Sequence, residues 1–102
     1  MKVVKRPRFL LDLAEELEWL NHRAGAEVAG RWYELLTSTI NELRRHPRLG
    51  RERSDLTPPG IRSWRVNRFR RWLIFYSVRE KTLVLLRVRY GTMDLGTIRM
   101  ES

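Results

Sequence analysis

Residues 62–78, RSWRVNRFRRWLIFYSV, combine five arginines with two tryptophans, two phenylalanines and a tyrosine. β-Branched and aromatic residues favour a pleated, half-buried surface, so the stretch predicts two strands joined by a polar turn at 68–70. A third apolar run, TLVLLRVRY, follows a turn at 79–81. This spacing predicts an antiparallel meander with strands at 61–67, 71–78 and 82–90.

Two helices are predicted before the meander. Apolar residues recur at helical spacing from about residue 8 to 22 and from about 26 to 45, with Gly25 between the two runs. Pro47 stops the second run, and the short link predicts an antiparallel helix hairpin. The carboxylates expected on the polar side of the first helix are Asp12, Glu15, Glu16 and Glu18.

The ends of the chain and the stretch between helices and meander complete the predicted fold. KVVKR at 2–6 predicts a short strand, and the Pro- and Gly-rich residues 47–60 predict a loop. In the tail, Leu95, Ile98 and Met100 could form a weak edge strand or a segment that orders on a partner. We expect one α+β domain over 1–102, with the N-terminal strand and the helix hairpin packed on one face of a small, mainly antiparallel sheet. The other face is expected to be open to a partner.

Positive charge is concentrated in the sheet half of the chain. Residues 1–50 hold nine basic and seven acidic groups, for +2, whereas residues 51–102 hold twelve and five, for +7. Nearly all of the cations are arginines, which bind carboxylates and phosphates through two parallel hydrogen bonds and stack on aromatic rings. The composition therefore favours an anionic partner. At the hairpin turn, Arg68, Arg70 and Arg71 could equally be a solvated edge that prevents strand aggregation.

Two arginines interrupt the third apolar run. Simple alternation places Arg87 and Arg89 on the same face as Leu83 and Leu85. Removing an unpaired guanidinium from water is costly, so the pair predicts either an open groove or bound carboxylates. Tyr90 falls on the opposite face by alternation, unless a bulge near the strand end redirects it.

Several function classes find no support in the sequence. Cysteine is absent, which fits a reducing compartment, and neither His22 nor His46 has a partner at metal-ligand spacing. Phosphate-binding glycine loops and nucleophile motifs are not present. No apolar run approaches the ~20 residues of a membrane span. We expect a cytoplasmic protein without metal, cofactor or membrane contact.

Three motifs in fixed order resemble the RelE/ParE superfamily of type II toxins, and most closely its ParE (plasmid stabilisation) branch. They are P-x-L-G-R-x-R-x-D-L at 47–56, WLIFYSV at 72–78 and R-V-x-[HY]-G-x-x-D-L at 87–95. The resemblance implies a toxin that inhibits DNA gyrase and forms a hetero-oligomer with a cognate antitoxin, whose C-terminal segment covers the toxin's helices and sheet groove. The residues expected in this partner-binding groove are Arg51, Arg53, Arg62, Arg65, Arg68, Arg87, Arg89 and Tyr90.

Two other functions are also compatible with the sequence. RelE-like members of the superfamily are ribosome-dependent endoribonucleases that cleave mRNA, a reaction that needs proton transfer and cations at the phosphate. Here the candidates for those roles are Arg65, Arg87 and Tyr90. The chain lacks an evident base, since arginine stays protonated, which favours the gyrase inhibitor without hydrolytic chemistry. The third possibility is a small basic module that binds nucleic acid.

Overall fold

A computed structural model describes residues 1–91 and residue 100. The tail positions Leu95 and Ile98 lie outside the described residues. Within them, a five-stranded sheet has the order β1-β5-β4-β3-β2, and β1 is parallel to β5 while all other pairs are antiparallel. The elements are β1 Lys2–Lys5, α1 Pro7–Ala24, α2 Ala26–Arg45, β2 Arg51–Glu52, β3 Arg62–Val66, β4 Phe69–Arg79 and β5 Thr82–Tyr90.

These elements confirm the predicted α+β class and the helix hairpin on a mainly antiparallel sheet. Pro7 is the first residue of α1, where its missing N–H costs nothing. Gly25 separates the helices with φ of +95°, a backbone conformation that favours glycine. The prediction of an uninterrupted loop at 47–60 was wrong at Arg51–Glu52, which pair with β3. A two-residue strand is too short to leave an alternation signal.

The main core lies between the helices and one face of the sheet. Trp32, Leu36 and Leu43 of α2 pack with Ile74 and Tyr76 of β4, and all five are almost fully buried. A second, smaller cluster covers part of the other face: Phe75, Val84 and Leu86 of the sheet meet Leu56, Ile61 and Met100. The prediction of a wholly open second face was therefore wrong, because loop residues and Met100 cover one part of it.

Tyr76 ties the loop after α2 to the sheet. Its hydroxyl donates to the carbonyl of Pro47 at 2.6 Å and accepts from the N–H of Gly50 at 2.8 Å. A Cβ at Gly50 would overlap the Tyr76 ring, so only glycine fits this approach without a shift. The start of the loop is thereby fixed against β4.

A β-bulge in β5 decides which way the strand's arginines point. Tyr76 pairs with Leu85 but Phe75 pairs with Arg87, so Leu86 is an extra residue. Since opposite residues of an antiparallel pair share a face, Arg87 lies on the face of Phe75, away from the helices. The prediction that Arg87 shares a face with Leu83 and Leu85 was wrong for this reason.

The bulge also settles the position of Tyr90. Tyr90 pairs with Trp72 and packs against the helix-facing core. The bulge therefore redirects Tyr90 to the face of Leu83 and Leu85, so the position expected from simple alternation was wrong, while Tyr90 and Arg89 still lie on opposite faces.

Candidate functional site: the arginine-rich face of the sheet

A buried carboxylate joins α1 to the unpaired edge of β5. β1 pairs with β5 only as far as Leu85, and beyond it Asp12 of α1 takes the place of a strand partner. The Asp12 carboxylate, 1% exposed, accepts from Arg87 Nε at 2.6 Å and Nη2 at 2.9 Å, from the N–H of Val88 at 3.2 Å and from Arg89 Nη1 at 3.3 Å. Four donors on one carboxylate offset its removal from water.

The sequence left two alternatives for Arg87, an open groove or a bound carboxylate, and the structure shows the second. It is 5% exposed, and the carboxylate that binds it is the protein's own Asp12. The prediction that Asp12 and Glu16 lie on the polar side of α1 was wrong, because both face the sheet and are buried.

Glu16 forms a second contact between α1 and the sheet, one turn after Asp12. Its Oε1 accepts from the indole Nε1 of Trp72 at 2.6 Å, and its Oε2 lies 4.0 Å from Arg89 Nη1. Burial raises the pKa of Glu16 above its ordinary value of 4.5, and the Trp72 hydrogen bond and Arg89 only partly oppose the shift. Its carboxylate is therefore held in a less favourable environment than in the unfolded chain.

Aromatic rings surround this seam between α1 and the C-terminal end of β5. The Trp72 and Tyr90 ring centroids are 4.8 Å apart in an edge-to-face arrangement, and Trp19 of α1 lies 6.3 Å from Tyr90. Trp19 is 46% exposed, and with Glu16, Arg89 and Tyr90 it lines a shallow cavity of about 250 Å³. The Tyr90 hydroxyl accepts from Arg71 Nη1 at 3.3 Å.

On the face away from the helices, arginines flank an apolar strip. The strand register aligns Arg65, Leu73 and Arg89 across β3, β4 and β5. Arg65 stacks on Trp64 with its guanidinium carbon 4.5 Å from the ring centroid, and no carboxylate pairs with it among residues 1–91. Leu73 remains partly exposed. We name this row of three residues the arginine–leucine row.

Arg53 extends the positive charge along the same face. Its guanidinium lies over Phe75 at 5.7 Å and donates to Ser63 Oγ at 3.1 Å and to both oxygens of Asp55 at 2.9 and 2.7 Å. Those hydrogen bonds lower the pKa of Asp55 to about 2. Arg53 is thus held over the sheet rather than free in a flexible loop.

The other residues predicted for the groove lie elsewhere. Arg62, at the β3 edge, donates to the carbonyl of Gly50 at 2.6 Å and to Glu52 at 3.2 Å. Arg51 is exposed on β2, and Arg68 is exposed in the β3–β4 turn with φ of +67°. The predicted residues therefore form one group on the sheet face, Arg53, Arg65, Arg87 and Arg89, while Arg51, Arg62, Arg68 and Tyr90 lie outside it.

The three residues considered for RNA cleavage do not converge. Arg65 and Arg87 belong to the face away from the helices, whereas Tyr90 packs on the helix-facing side against Trp72. Arg87 is already engaged by Asp12.

Among residues 1–91 and 100, no group of three or more His, Asp or Glu side chains could hold a metal ion, and no helix is long and apolar enough to cross a bilayer.

Comparison with known proteins identifies the family. Residues 3–95 match the family model described as ParE toxin of the type II toxin–antitoxin system parDE. The chain belongs to the ParE toxin family. It is 37% identical over 72 residues to Toxin ParE3 of Caulobacter vibrioides, an alignment that covers 71% of this chain and 68% of that protein. The resemblance inferred from the three motifs is therefore confirmed.

A solved structure confirms the fold of this ParE-family chain. The structure, described as a chromosomal ParDE toxin–antitoxin system from P. aeruginosa, matches with a TM-score of 0.73 at 19% identity. The match covers 88% of this chain and 95% of the other.

Sequence reasoning missed three residues of the site in this ParE-family chain. Asp12, Glu16 and Trp19 were not expected in it, although Phe9, Asp12, Glu16 and Leu20 recur at helical spacing on what proved to be the buried stripe. The available signal was the two arginines in the middle of the last strand, because buried arginines need a carboxylate partner. The acidic residues within the apolar stripe of α1 were the candidates for that partner.

The Asp12–Arg87 contact gives a stability prediction. Asp12→Ala removes the partner of a buried guanidinium, and we expect it to lower the free energy of unfolding by about 3–5 kcal/mol, with Asp12→Asn intermediate. The measurement is urea denaturation followed by circular dichroism. Glu15→Ala is the matched control, because Glu15 lies 3.6 Å from Arg89 but is 66% exposed, and exposed pairs contribute about 0–1 kcal/mol. Equal losses in both variants would contradict the assignment.

Glu16 gives a pH prediction. Since its pKa is higher in the folded chain than in the unfolded one, protonation of Glu16 favours the fold, and that contribution is lost as pH rises from 4.5 through the folded pKa. Glu16→Gln keeps an acceptor for Trp72 but does not titrate. The stability of Glu16→Gln relative to wild type should therefore increase between pH 4 and pH 7, measured by denaturation at both pH values. A constant difference would show that the Glu16 pKa is not raised.

Proposed function

We propose that this ParE-family chain is the toxin of a two-protein system, that it inhibits DNA gyrase by binding, and that a cognate antitoxin neutralises it by covering the arginine-rich face of the sheet. The observation that carries the antitoxin part is the arginine–leucine row, in which a partly exposed leucine lies beside Arg65, a cation that no carboxylate of residues 1–91 pairs with, while Arg89 on its other side is bound by Asp12 and Glu16. Such a strip suits an extended or helical segment that carries apolar and acidic side chains.

Two observations support gyrase as the target: the chain's membership of the ParE family, and the pairing of Arg87 with Asp12. The match over residues 3–95 is to ParE toxins. Arg87 is the mid-strand cation best placed by sequence for a phosphate, and it is instead bound to Asp12 with 5% exposure. A cation committed to a structural carboxylate contributes to the fold rather than to phosphoryl chemistry. This favours inhibition by protein contact over RNA cleavage.

The ribosome-dependent endoribonuclease is retained as a second candidate because of Tyr90. Its hydroxyl accepts from Arg71 at 3.3 Å, at the end of the sheet that also carries exposed Arg68 and Arg70. A phenol beside a cation can act as a proton donor to a leaving group. Removing the Tyr90 hydroxyl should abolish toxicity that depends on RNA cleavage and leave gyrase inhibition unchanged, so it distinguishes the two mechanisms.

The target is tested by inducing expression and examining DNA and mRNA from the same cells, together with a supercoiling assay on purified gyrase. We expect gyrase-cleaved DNA with intact mRNA. Tyr90→Phe should retain toxicity, because the ring packing against Trp72 is kept and only the hydroxyl is removed. Cleaved mRNA with intact DNA, abolished by Tyr90→Phe, would replace gyrase with the ribosome. Salt-sensitive binding to bare DNA or RNA without growth arrest would favour the nucleic-acid module.

The antitoxin surface is tested by charge reversal at Arg65, using as probe the product of the small open reading frame expected beside this gene. Arg65 pairs with no described carboxylate, so Arg65→Glu breaks no ion pair of the described fold. We expect it to weaken binding about tenfold, and added salt to weaken wild-type binding in the same direction. Arg79→Glu is the control, since Arg79 is exposed and lies six residues along β4 from Leu73, or about 20 Å. Equal affinity in both variants would reject this face as the antitoxin site.

A further inference from the structure

Six exposed cations lie at one end of the molecule, where α2 ends and β4 turns into β5. The loop after α2 is held beside β4, since the Tyr76 hydroxyl binds Pro47 and Gly50. Arg79 is three residues further along β4, or about 10 Å. The strand register places Arg79 in line with Lys2 of β1, with one residue of β5 between them. We name this group the basic end; its members are Lys2, Arg44, Arg45, Arg48, Arg79 and Lys81.

The fold does not use the charges of the basic end. None of the six side chains forms a hydrogen bond or an ion pair with residues 1–91. By contrast, Arg53, Arg62 and Arg87 each have a carboxylate partner. Two carboxylates, Glu42 and Glu80, lie beside the basic end in the sequence, so six cations and two anions leave a net charge of +4. The six cations are therefore available to an anionic partner.

Regular structure fixes the backbone that carries these cations. Arg79 is in the last ladder pair of β4 and β5, and the two turn residues after it, Glu80 and Lys81, have φ of +47° and +62°. Two successive left-handed residues form the turn that matches the twist of a hairpin. Arg45 and Arg48 line one shallow depression at the end of α2. A partner thus meets a surface whose charges are already in place.

We propose that the basic end binds the phosphate backbone of duplex DNA. The choice of DNA rests on the proposed function, because gyrase acts on duplex DNA and an inhibitor bound to gyrase lies close to it. Lys2 and Arg79 are two strand spacings apart, about 10 Å, and that length of duplex carries about six phosphate charges. Contacts to phosphates need no apolar pocket. The basic end is separate from the arginine–leucine row, since Arg79 lies about 20 Å along β4 from Leu73.

The test is fluorescence anisotropy of a labelled duplex of about 20 base pairs and mixed sequence, titrated with the purified full chain between about 50 and 200 mM salt. About six phosphate contacts predict that the logarithm of the binding constant falls with log salt at a slope of about −5. Arg45→Gln with Arg48→Gln should reduce the magnitude of that slope by about 2. Arg68→Gln with Arg70→Gln is the matched control, because it removes the same charge from exposed arginines at the other end of β4. The control should keep the wild-type slope.

Competitors distinguish duplex DNA from other anionic partners. Polyglutamate and a single-stranded RNA of equal total charge should each displace the duplex about tenfold less effectively than unlabelled duplex, since chains of lower charge density release fewer counterions per contact. Equal displacement by either competitor would overturn the proposal. A wild type that does not bind the duplex, or equal slopes in the two double variants, would also overturn it. Circular dichroism of both double variants checks that they are folded.

Purified gyrase separates a failure of this proposal from a failure of the proposed function. We expect Arg45→Gln with Arg48→Gln to require about tenfold more protein than the control to give the same amount of gyrase-cleaved DNA. If wild type inhibits gyrase and the two double variants are equal in potency and in slope, gyrase remains the target and the basic end is not the DNA surface. If the slopes differ as expected but wild type does not inhibit gyrase, the basic end stands as a DNA surface and the proposed target is wrong.

Discussion

The carboxylate of Asp12 is the contact on which the rest of the sheet face depends. β5 lies second from one edge of the sheet, between β1 and the central strand β4. β1 ends at Lys5, and the remaining edge of β5 would expose backbone groups and two arginines. Asp12 accepts from the N–H of Val88 and from both arginine side chains. One side chain from α1 therefore completes the strand edge and fixes the helix against the sheet.

The bulge at Leu86 determines on which face of the sheet the two arginines bound by Asp12 lie. Without the extra residue, Arg87 and Arg89 would point into the apolar core beneath the helices, where pairing would require further buried carboxylates. With it, they lie on the face of Leu73 and Phe75, and their long side chains reach the edge where Asp12 lies. The same shift turns Tyr90 toward Trp72. A single inserted residue thus separates the cations from the aromatic core of the helix-facing layer.

The sequence predicted the elements well because each carries a local signal. Helix α2 was placed at its observed bounds by apolar spacing and by Pro47, and β5 by its continuous apolar run. The faces of the strands were harder to predict, because a bulge changes the parity of every later residue and leaves no mark in composition. Asp12 was predicted to face solvent for a related reason, because a carboxylate is ordinarily exposed. The residue that makes its burial favourable, Arg87, lies 75 residues later in the sequence.

Four of the eight residues expected in the groove share the sheet face away from the helices, and those four are not equivalent. Eight groove residues were expected from charge, aromatic content and the family resemblance, and the fold uses them in different ways. Arg87 and Arg53 are held by the protein's own carboxylates, and Arg62 is folded back on Gly50.

Arg65 differs from these in that it stacks on an indole and pairs with no carboxylate of residues 1–91. The arginine and aromatic residues in 62–78 therefore serve two separate purposes. Arg62 and Trp72 fix the sheet to the loop and to α1, and the exposed arginines give the sheet its positive surface. A charge held on a strand whose neighbours are fixed loses little conformational freedom on binding, and this is the advantage that the proposed antitoxin surface would gain from the buried ion pairs.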